Sequence, residues 1–315
     1  MHRLFPRSLV LAACVGLLAA GLSAVLAERW PFDLAQHFWP QLLVGGAFLL
    51  VLALWRLQGR QRLLAAGVCL TVVVLGTQAM AAAWDSFSPH AVAPTGLRIK
   101  IAAANIWGRN SQFDLIRAWV QTERPDVLVM SEMRSGAAEA LASLRETLPY
   151  LRLSGMGDIG IASRWPWELV ALPDRPAGQL AVVRLATPVG PVIMIATHPV
   201  APVGPDHAIN RDRLIAYIGT LVRRTHEPVI LAGDFNATPW SRPMRGLVAG
   251  TDLAFGPGAW LATWPVLLPR LLGVPIAHVL GGNGCRPATR RHGTRIGSDH
   301  WPIVVEVRCL QPMSG

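Results

Sequence analysis

The sequence is poor in charge and has almost no lysine. Charged side chains make up 15% of its 315 residues, against about 25% in an average soluble domain, and Lys100 is the only lysine among 29 basic residues. Repeats and low-complexity tracts are also absent. Because 52% of the residues are hydrophobic and the mean hydropathy is +0.37, the composition excludes a disordered chain and a collagen-like fibre. It indicates a globular protein attached to a membrane.

Three apolar runs lie within the first 84 residues. Two of them contain 20 and 21 consecutive uncharged residues, and the middle run is shorter. A helix of about 20 residues spans the hydrocarbon core of a bilayer. The runs therefore predict three transmembrane helices, at residues 8–27, 38–57 and 63–83.

The arginines that flank these runs predict their orientation. Two precede the first run and three lie between the second and third, whereas the single arginine between the first and second is balanced by two acidic residues. Basic flanks remain in the cytoplasm, so we expect a multi-pass protein of a bacterial inner membrane with everything after residue 83 periplasmic or extracellular. Alternatively, residues 25–27 form a cleavage site and the first run is a signal peptide; the remaining hairpin would leave the same side outside.

The rest of the chain is expected to be one globular domain. Following the membrane region of residues 1–84, residues 85–96 contain two prolines and few large apolar side chains, which predicts a linker. Residues 97–309 suffice for one domain, and residues 310–315 form a tail. Residues 88–315 contain 23 basic and 16 acidic residues, a net charge of +7, which suits a nucleic acid and an anionic lipid equally.

Four short apolar runs in this domain each end in a polar residue. They are RIKIAAAN, DVLVMSE, PVIMIATH and PVILAGDFN, with helical patterns between them at residues 113–123, 137–147 and 212–224. Runs that are apolar along their length are typical of strands buried on both faces, so the alternation predicts a layered α/β domain. We expect the terminal polar side chains to meet at a shared edge as an active site. They are Asn105, Glu132, His198, Asp234 and Asn236, while Asp299 and His300 precede a last strand in HWPIVVEV.

In this order, the motifs resemble those of the endonuclease/exonuclease/phosphatase family, which includes DNase-I-like nucleases, inositol-phosphate phosphatases and bacterial sphingomyelinases. The resemblance rests on AAANIWG, PDVLVMSEM, IATHPVAP, LAGDFNATP and GSDHWPIVV, and covers the globular domain only. It implies a membrane-anchored bacterial member with a four-layer α/β/β/α sandwich (DNase-I-like) preceded by three transmembrane helices.

The resemblance also implies a metal site. Hydrolysis of a phosphoester requires charge neutralisation on the phosphoryl oxygens and an activated water. By resemblance we expect Mg²⁺, with Mn²⁺ or Ca²⁺ as alternatives, bound by Glu132 with Asn105 and Asp299 completing the site. Because Mg²⁺ retains several waters, few protein ligands are needed.

Four further residues are expected to carry the reaction. By resemblance, Asp234 and Asn236 orient the nucleophilic water, and His198 and His300 contact the phosphate as general base and general acid, in an order that the sequence leaves open. Each residue by itself has an ordinary structural explanation, such as a turn or a helix cap. Their joint occurrence favours the catalytic interpretation.

One position departs from the family pattern. Members of the family commonly have an Asp at the start of the penultimate strand that hydrogen-bonds the final histidine, whereas here that stretch is PIAHVLGG, with Ala277 in its place. Another acid, with Asp252 as a candidate, or a backbone carbonyl would then orient His300; otherwise the domain is slow or a degenerate pseudoenzyme.

Two smaller features complete the domain. Cys285 and Cys309 could form a disulfide in an oxidising compartment, whereas Cys14 and Cys69 lie within apolar runs and are expected to pack there. Residues 256–275 are unusually apolar for a loop; either they cover the core, or Trp260, Trp264 and the leucines enter the bilayer interface. Nearby, Arg286, Arg290, Arg291 and Arg295 form either a solvated face or an anion contact.

The sequence therefore predicts a divalent-metal-dependent phosphoester hydrolase tethered to the membrane, with a nucleic acid or a phospholipid as substrate. The alternatives are a phospholipid head-group phosphodiesterase or phosphatase, and a catalytically degenerate binding or signalling domain.

Overall fold

A computed structural model of the chain describes residues 6–84, 87, 96–134, 136–153, 157–172 and 179–310. It divides into two units: Met1–Asp85 with the short segments Val203–Pro205 and Trp240–Arg242, and the remaining residues. Most of the predicted linker (residues 85–96) and of the predicted tail (residues 310–315) lies outside the described residues.

Five helices make up the first unit: α1 (Arg7–Gly21), α2 (Ser23–Leu26), α3 (Phe32–Gln36), α4 (Trp39–Arg56) and α5 (Gly59–Trp84). Three segments are long and apolar enough to span a membrane: Arg7–Leu26, Trp39–Arg56 and Gly59–Trp84. The expectation of three long apolar helices is thus confirmed. The third begins at Gly59 rather than at residue 63, so Arg60 and Arg62 lie in its first turn and not in a loop.

Glycines allow the long helices of this unit to approach one another closely. A Cβ at Gly76 of α5 would lie 2.8 Å from Leu43 and 2.8 Å from Trp39 of α4, and one at Gly21 would lie 2.5 Å from Val72. Such contacts between small residues and their neighbours are typical of helices that pack in a membrane.

The second unit contains eleven strands among its described residues. They are β1 (Leu97–Asn105), β2 (Val127–Ser131), β3 (Tyr150–Arg152), β4 (Gly160–Ser163), β5 (Trp167–Leu169), β6 (Gln179–Thr187), β7 (Gly190–His198), β8 (Val229–Asp234), β9 (Ala277–Gly282), β10 (Cys285–His292) and β11 (Ile303–Cys309). They form a six-stranded sheet, β10-β11-β1-β2-β4-β3, and a five-stranded sheet, β5-β6-β7-β8-β9.

In the part of the chain that the structure describes, four helices accompany the sheets: α6 (Phe113–Glu123), α7 (Ala137–Ala140), α8 (Pro205–Arg224) and α9 (Arg242–Ala249). The helical pattern predicted at residues 113–123 coincides with α6. Two other predicted helices differ from the structure. The pattern at residues 137–147 forms only α7 and a 3₁₀ turn, Ala142–Glu146, and the pattern at residues 212–224 extends back to Pro205.

Two apolar clusters define the layers. The larger lies between the sheets and contains Ile101 of β1, Val129 of β2, Met194 of β7 and Ile230 of β8. A second cluster joins the other face of β1 and β2 to α6, for example through Trp119. All residues of β2 and β8 are buried, because each of these strands is covered on both faces. The predicted layered α/β fold is confirmed.

Candidate active site

Five predicted site residues lie at the carboxyl ends of parallel neighbouring strands, namely Asn105, Glu132, His198, Asp234 and Asn236. β1 and β2 are parallel, with Asn105 opposite Ser131, so Glu132 comes one residue after this pair. β7 and β8 are also parallel, with Thr197 opposite Gly233, so His198 and Asp234 follow side by side. Each sheet therefore brings its polar residues to the carboxyl ends of two neighbouring strands.

The amide of Asn105 connects the two sheets. Its Nδ2 donates hydrogen bonds of 2.9 Å to Glu132 Oε1 and of 2.9 Å to Asp234 Oδ2, although Asp234 is 129 positions away in the chain. Asn105 Oδ1 accepts from the Trp107 amide at 2.9 Å. Asn105 is buried, so the amide holds two carboxylates at a fixed separation.

Glu132 is held as a carboxylate. Its Oε2 accepts a hydrogen bond of 2.8 Å from the Gly108 amide. Burial by itself would raise the pKa of Glu132, but the hydrogen bonds from Gly108 and Asn105 and the nearby rings of His198 and His300 lower this pKa below its usual value. Its backbone is left-handed, with φ of +60°, a conformation that surrounding structure must stabilise.

His198 is paired with a carboxylate that the sequence analysis did not identify. His198 Nδ1 lies 2.7 Å from Asp158 Oδ2, which indicates that the ring donates to Asp158 and keeps Nε2 for another group. Burial tends to lower the pKa of His198, but the bond to Asp158 and the negative charges of Asp234 and Glu132 outweigh burial and raise it. No motif marked Asp158, which stands in the segment GDIG before β4.

Asp234 and Asn236 form a rigid turn at the end of β8. Asp234 Oδ1 accepts from the Asn236 amide at 3.0 Å, and Asn236 Nδ2 donates to the Pro199 carbonyl at 2.9 Å. The backbone of Asn236 is left-handed, with φ of +48°. The guanidinium of Arg211, a buried residue of α8, donates to the Asn236 carbonyl at 3.3 Å, so α8 also supports this turn.

Asp299 and His300 lie beside these groups. His300 Nδ1 is 3.5 Å from Asp234 Oδ2, and His300 Nε2 is 3.9 Å from Asp299 Oδ1. Ser298 links the end of β1 to the segment that precedes β11. Its Oγ donates to the Asn105 carbonyl at 2.7 Å and accepts from the His300 amide at 3.0 Å. Ser298 belongs to the GSDH motif, yet the motif did not predict this role.

Ala277 occupies a position where a carboxylate would face the site. It is the cross-strand partner of Asp234 in the β8–β9 pair, so its Cβ lies on the same face as the Asp234 side chain. Asp252, the replacement that the sequence suggested, instead accepts from Arg286 at 2.6 Å and from the Asn283 amide at 2.9 Å. The expectation that this stretch is the penultimate strand is wrong, since β10 and β11 both follow it.

Other predicted features lie outside this group. Cys285 and Cys309 are joined by a disulfide between β10 and β11, and Cys14 and Cys69 are free and buried. The four clustered arginines separate: Arg286 and Arg291 pair with Asp252 and Glu123, Arg290 Nη2 donates to the Ala277 carbonyl, and Arg295 stacks on Trp301. Burial lowers the pKa of Arg290 to about 9.

The loop of residues 256–275 borders the site. Trp264 Nε1 donates to Asp299 Oδ2 at 3.3 Å, so this residue contacts a predicted site residue directly. Trp260 and Trp264 are both exposed.

Comparison with known proteins agrees with this geometry. A model described as the Endonuclease/Exonuclease/phosphatase family matches residues 102–300, which include every predicted catalytic and metal-binding residue. Comparison with curated proteins gives no match.

Several solved structures share the fold. An endonuclease/exonuclease/phosphatase from Beutenbergia cavernae is 20% identical, with a TM-score of 0.51, and the match covers 69% of this chain and 73% of that one. Sphingomyelinase C from Streptomyces griseocarneus is 19% identical, with a TM-score of 0.50 and coverage of 67% and 99%. D. rerio TDP2 complexed with a single-strand DNA product is 14% identical, with a TM-score of 0.53 and coverage of 67% and 99%.

Proposed function

The chain belongs to the endonuclease/exonuclease/phosphatase family, and on that premise we propose that residues 97–309 form a divalent-metal-dependent phosphoester hydrolase, held at a bacterial membrane by the helices of residues 1–84. The observation that carries the proposal is the amide of Asn105, which links Glu132 and Asp234 through hydrogen bonds of 2.9 Å. A purely structural role for Asn105 would not explain why its amide binds two carboxylates that come from different sheets. Two carboxylates held together in this way support a site for a cation, which neutralises the charge of a phosphoester.

The side chains present fit a divalent cation. Asp299 Oδ1 is buried and has no hydrogen-bond partner among the described residues, and the lowered pKa of Glu132 keeps that group ionised. In the described part of the chain no three His, Cys, Asp or Glu side chains are grouped as a metal site, so water would supply most ligands, as Mg²⁺ prefers. Glu132 and Asp299 would hold the cation, which supplies charge neutralisation at the phosphoryl oxygens.

Asn105 was expected to be a metal ligand, and its contacts in the structure favour a second role. Both of its amide hydrogens are used for the carboxylates, and its Oδ1 accepts from Trp107. We therefore assign Asn105 the task of positioning Glu132 and Asp234. Exchange of Mg²⁺ for Mn²⁺ or Ca²⁺ remains part of the test of the metal.

The contacts of His198, Asp234 and His300 suggest a separate role for each of them in the reaction. The contact with Asp158 and the raised pKa favour the protonated form of His198, so we infer that it binds a phosphoryl oxygen and protonates the leaving oxygen. Asp234, fixed by Asn105 and by the Asn236 amide, orients the attacking water. His300 lies between Asp234 and Asp299 and contacts the phosphoryl group from that side.

The experiment compares the full chain in detergent with its Asp234→Asn variant on bis-(p-nitrophenyl) phosphate, single-stranded DNA and phospholipid. Each assay is run with Mg²⁺, with Mn²⁺, with Ca²⁺ and with a chelator. We expect at least about a hundredfold loss in the variant, and loss of activity with the chelator. Asp114→Asn is the control, since Asp114 is an exposed carboxylate of α6 that contacts Arg117. Equal rates for all three proteins would refute the hydrolase.

A catalytically degenerate binding domain is the second candidate. It is favoured by Ala277 and by His300 Nδ1, which is buried without a hydrogen-bond partner among the described residues. This candidate would be supported if the wild-type chain binds a phosphoester without hydrolysing it and the Asp234→Asn variant no longer binds it.

A further inference from the structure

Residues 264–272 carry an exposed apolar patch beside the candidate active site. Its members, which we name the leucine tip, are Leu267, Leu268, Leu271 and Leu272, and Leu267 and Leu271 are 85% and 88% exposed. Single exposed leucines are ordinary on a protein surface, but four within six residues form a contiguous patch, which usually marks a contact with a partner or a membrane.

The base of this loop is firmly held. Trp264 and Val274 exchange backbone hydrogen bonds of 3.1 and 2.7 Å, and the Val266 amide donates to the Asp299 carbonyl at 2.8 Å. Thr263 Oγ1 accepts from the Ile276 and Ala277 amides at 3.0 Å each. The leucine tip therefore projects from a base that hydrogen bonds hold in place, one of them to the Asp299 carbonyl. Its exposure is thus a feature of an ordered loop.

Positive charge lies at the border of the tip. Arg270 and Arg295 are exposed, and their guanidinium carbons lie 4.9 and 5.6 Å from the ring centre of Trp301, the residue after His300. Trp260 and Trp264 are exposed nearby. Exposed leucines beside exposed tryptophans and arginines combine an apolar surface for acyl chains, aromatic rings for the interface and positive charge for the phosphates of a bilayer. A protein partner would not require this combination.

We propose that the leucine tip inserts into the surface of a phospholipid bilayer, and that the substrate is a phosphoester in the head group of a lipid. This inference rests on the proposed hydrolase function. Because Trp264 donates to Asp299, a bilayer that takes up the tip lies against the edge of the site that Asp299 and His300 form. The expected substrate is therefore a lipid, and hydrolysis of DNA in place of lipid would contradict this inference.

Insertion is measured on the full chain in nanodiscs of phosphatidylethanolamine and phosphatidylglycerol. A fluorophore is attached to Leu271→Cys, and separately to Leu169→Cys on β5, a leucine that is 47% exposed. Lipids with a spin label in the acyl chain should quench the first fluorophore and leave the second largely unquenched. Equal quenching at both positions, or none at either, would overturn insertion.

Activity is measured with the double variant Leu267→Gln/Leu271→Gln and with Leu169→Gln as control. Because two leucine side chains lose their apolar environment, hydrolysis of nanodisc phospholipid should fall about tenfold or more, while hydrolysis of bis-(p-nitrophenyl) phosphate stays within about twofold. Equal losses on both substrates would mean a structural role and overturn the proposal, as would hydrolysis of DNA but not of lipid. If wild type hydrolyses neither ester, the hydrolase proposal fails and the quenching result alone decides insertion.

Discussion

The contact between Asp158 and His198 controls the charge of the residue to which we assign proton donation. In the folded chain the pKa of His198 lies above its ordinary 6.5. The stability that comes from the protonated ring is therefore fully present below about pH 6.5, and it is lost as the pH rises through the raised pKa. Activity that needs the protonated ring should decline over the same upper range.

Asp158→Asn should lower the pKa of His198, because the substitution removes the negative charge 2.7 Å from Nδ1. We expect the alkaline limb of the pH profile of kcat/KM to move to lower pH, with a loss of about 10- to 100-fold at neutral pH. Asp114→Asn should leave the profile in place. An unchanged alkaline limb in Asp158→Asn would show that His198 is not the group observed.

The Ala277 position allows a gain of function to be tested. Ala277→Asp would place a carboxylate on the face that carries Asp234, and His300 Nδ1, 3.5 Å from Asp234 Oδ2, is buried without a hydrogen-bond partner among the described residues. Turnover of bis-(p-nitrophenyl) phosphate should rise about tenfold or more if the missing acid limits the reaction. The matched variant Ala277→Asn controls for size, and unchanged turnover in Ala277→Asp would discard the idea.

Among the elements, β10 and β11 at the edge of the six-stranded sheet are joined covalently. Cys285 and Cys309 are register partners in this antiparallel pair and are 24 residues apart in sequence. The segment that the disulfide closes contains Asp299 and His300. The disulfide therefore limits how far these two residues move from the rest of the site when the edge of the sheet opens.

Removal of the disulfide should lower the stability of the domain. By loop-closure entropy, Cys285→Ser/Cys309→Ser should reduce the free energy of unfolding by about 3 kcal/mol, measured by chemical denaturation of the full chain in detergent. A reducing agent should destabilise wild type and have no further effect on the double variant. A reducing agent that acts equally on both proteins would point to another target.

At the scale of the whole molecule, the orientation across a membrane decides which compartment contains the candidate site. The helices Arg7–Leu26, Trp39–Arg56 and Gly59–Trp84 are apolar enough to span a bilayer, and the arginines of this region concentrate at the start of the first and around the turn between the second and third. From the positive-inside rule we predict that the residues after the third helix face outward.

This orientation predicts the protease sensitivity of tags on the full chain in spheroplasts. A tag after Gly315 should be digested, whereas a tag inserted between Leu57 and Gln58 should be protected until the membrane is permeabilised. The opposite pattern would place the candidate site in the cytoplasm and would reject the proposed localisation.

Much of the architecture could be predicted from the sequence, because the governing signals are local. The apolar runs that became β1, β2, β7 and β8 are continuous in sequence, and burial on both faces requires such runs. The same holds for the three long apolar helices. The strands β3 to β6 and β10 were not predicted. Of these, β3 to β5 have only three or four residues, which carry little periodicity and depend on their neighbours for pairing.

The residue types of the candidate site were determined by the sequence alone, since each polar residue follows a strand signal and the motifs stand in the order of the family. Tertiary structure alone decided the partners: Asp158 beside His198, Asn105 between two carboxylates, and Ser298 between Asn105 and His300. Apart from the contact between Ser298 and His300, which are neighbours in the chain, these contacts join residues that are 27 to 193 positions apart. Hydrogen bonds act over about 3 Å, so only the packing of the two sheets determines which polar groups come within reach of one another.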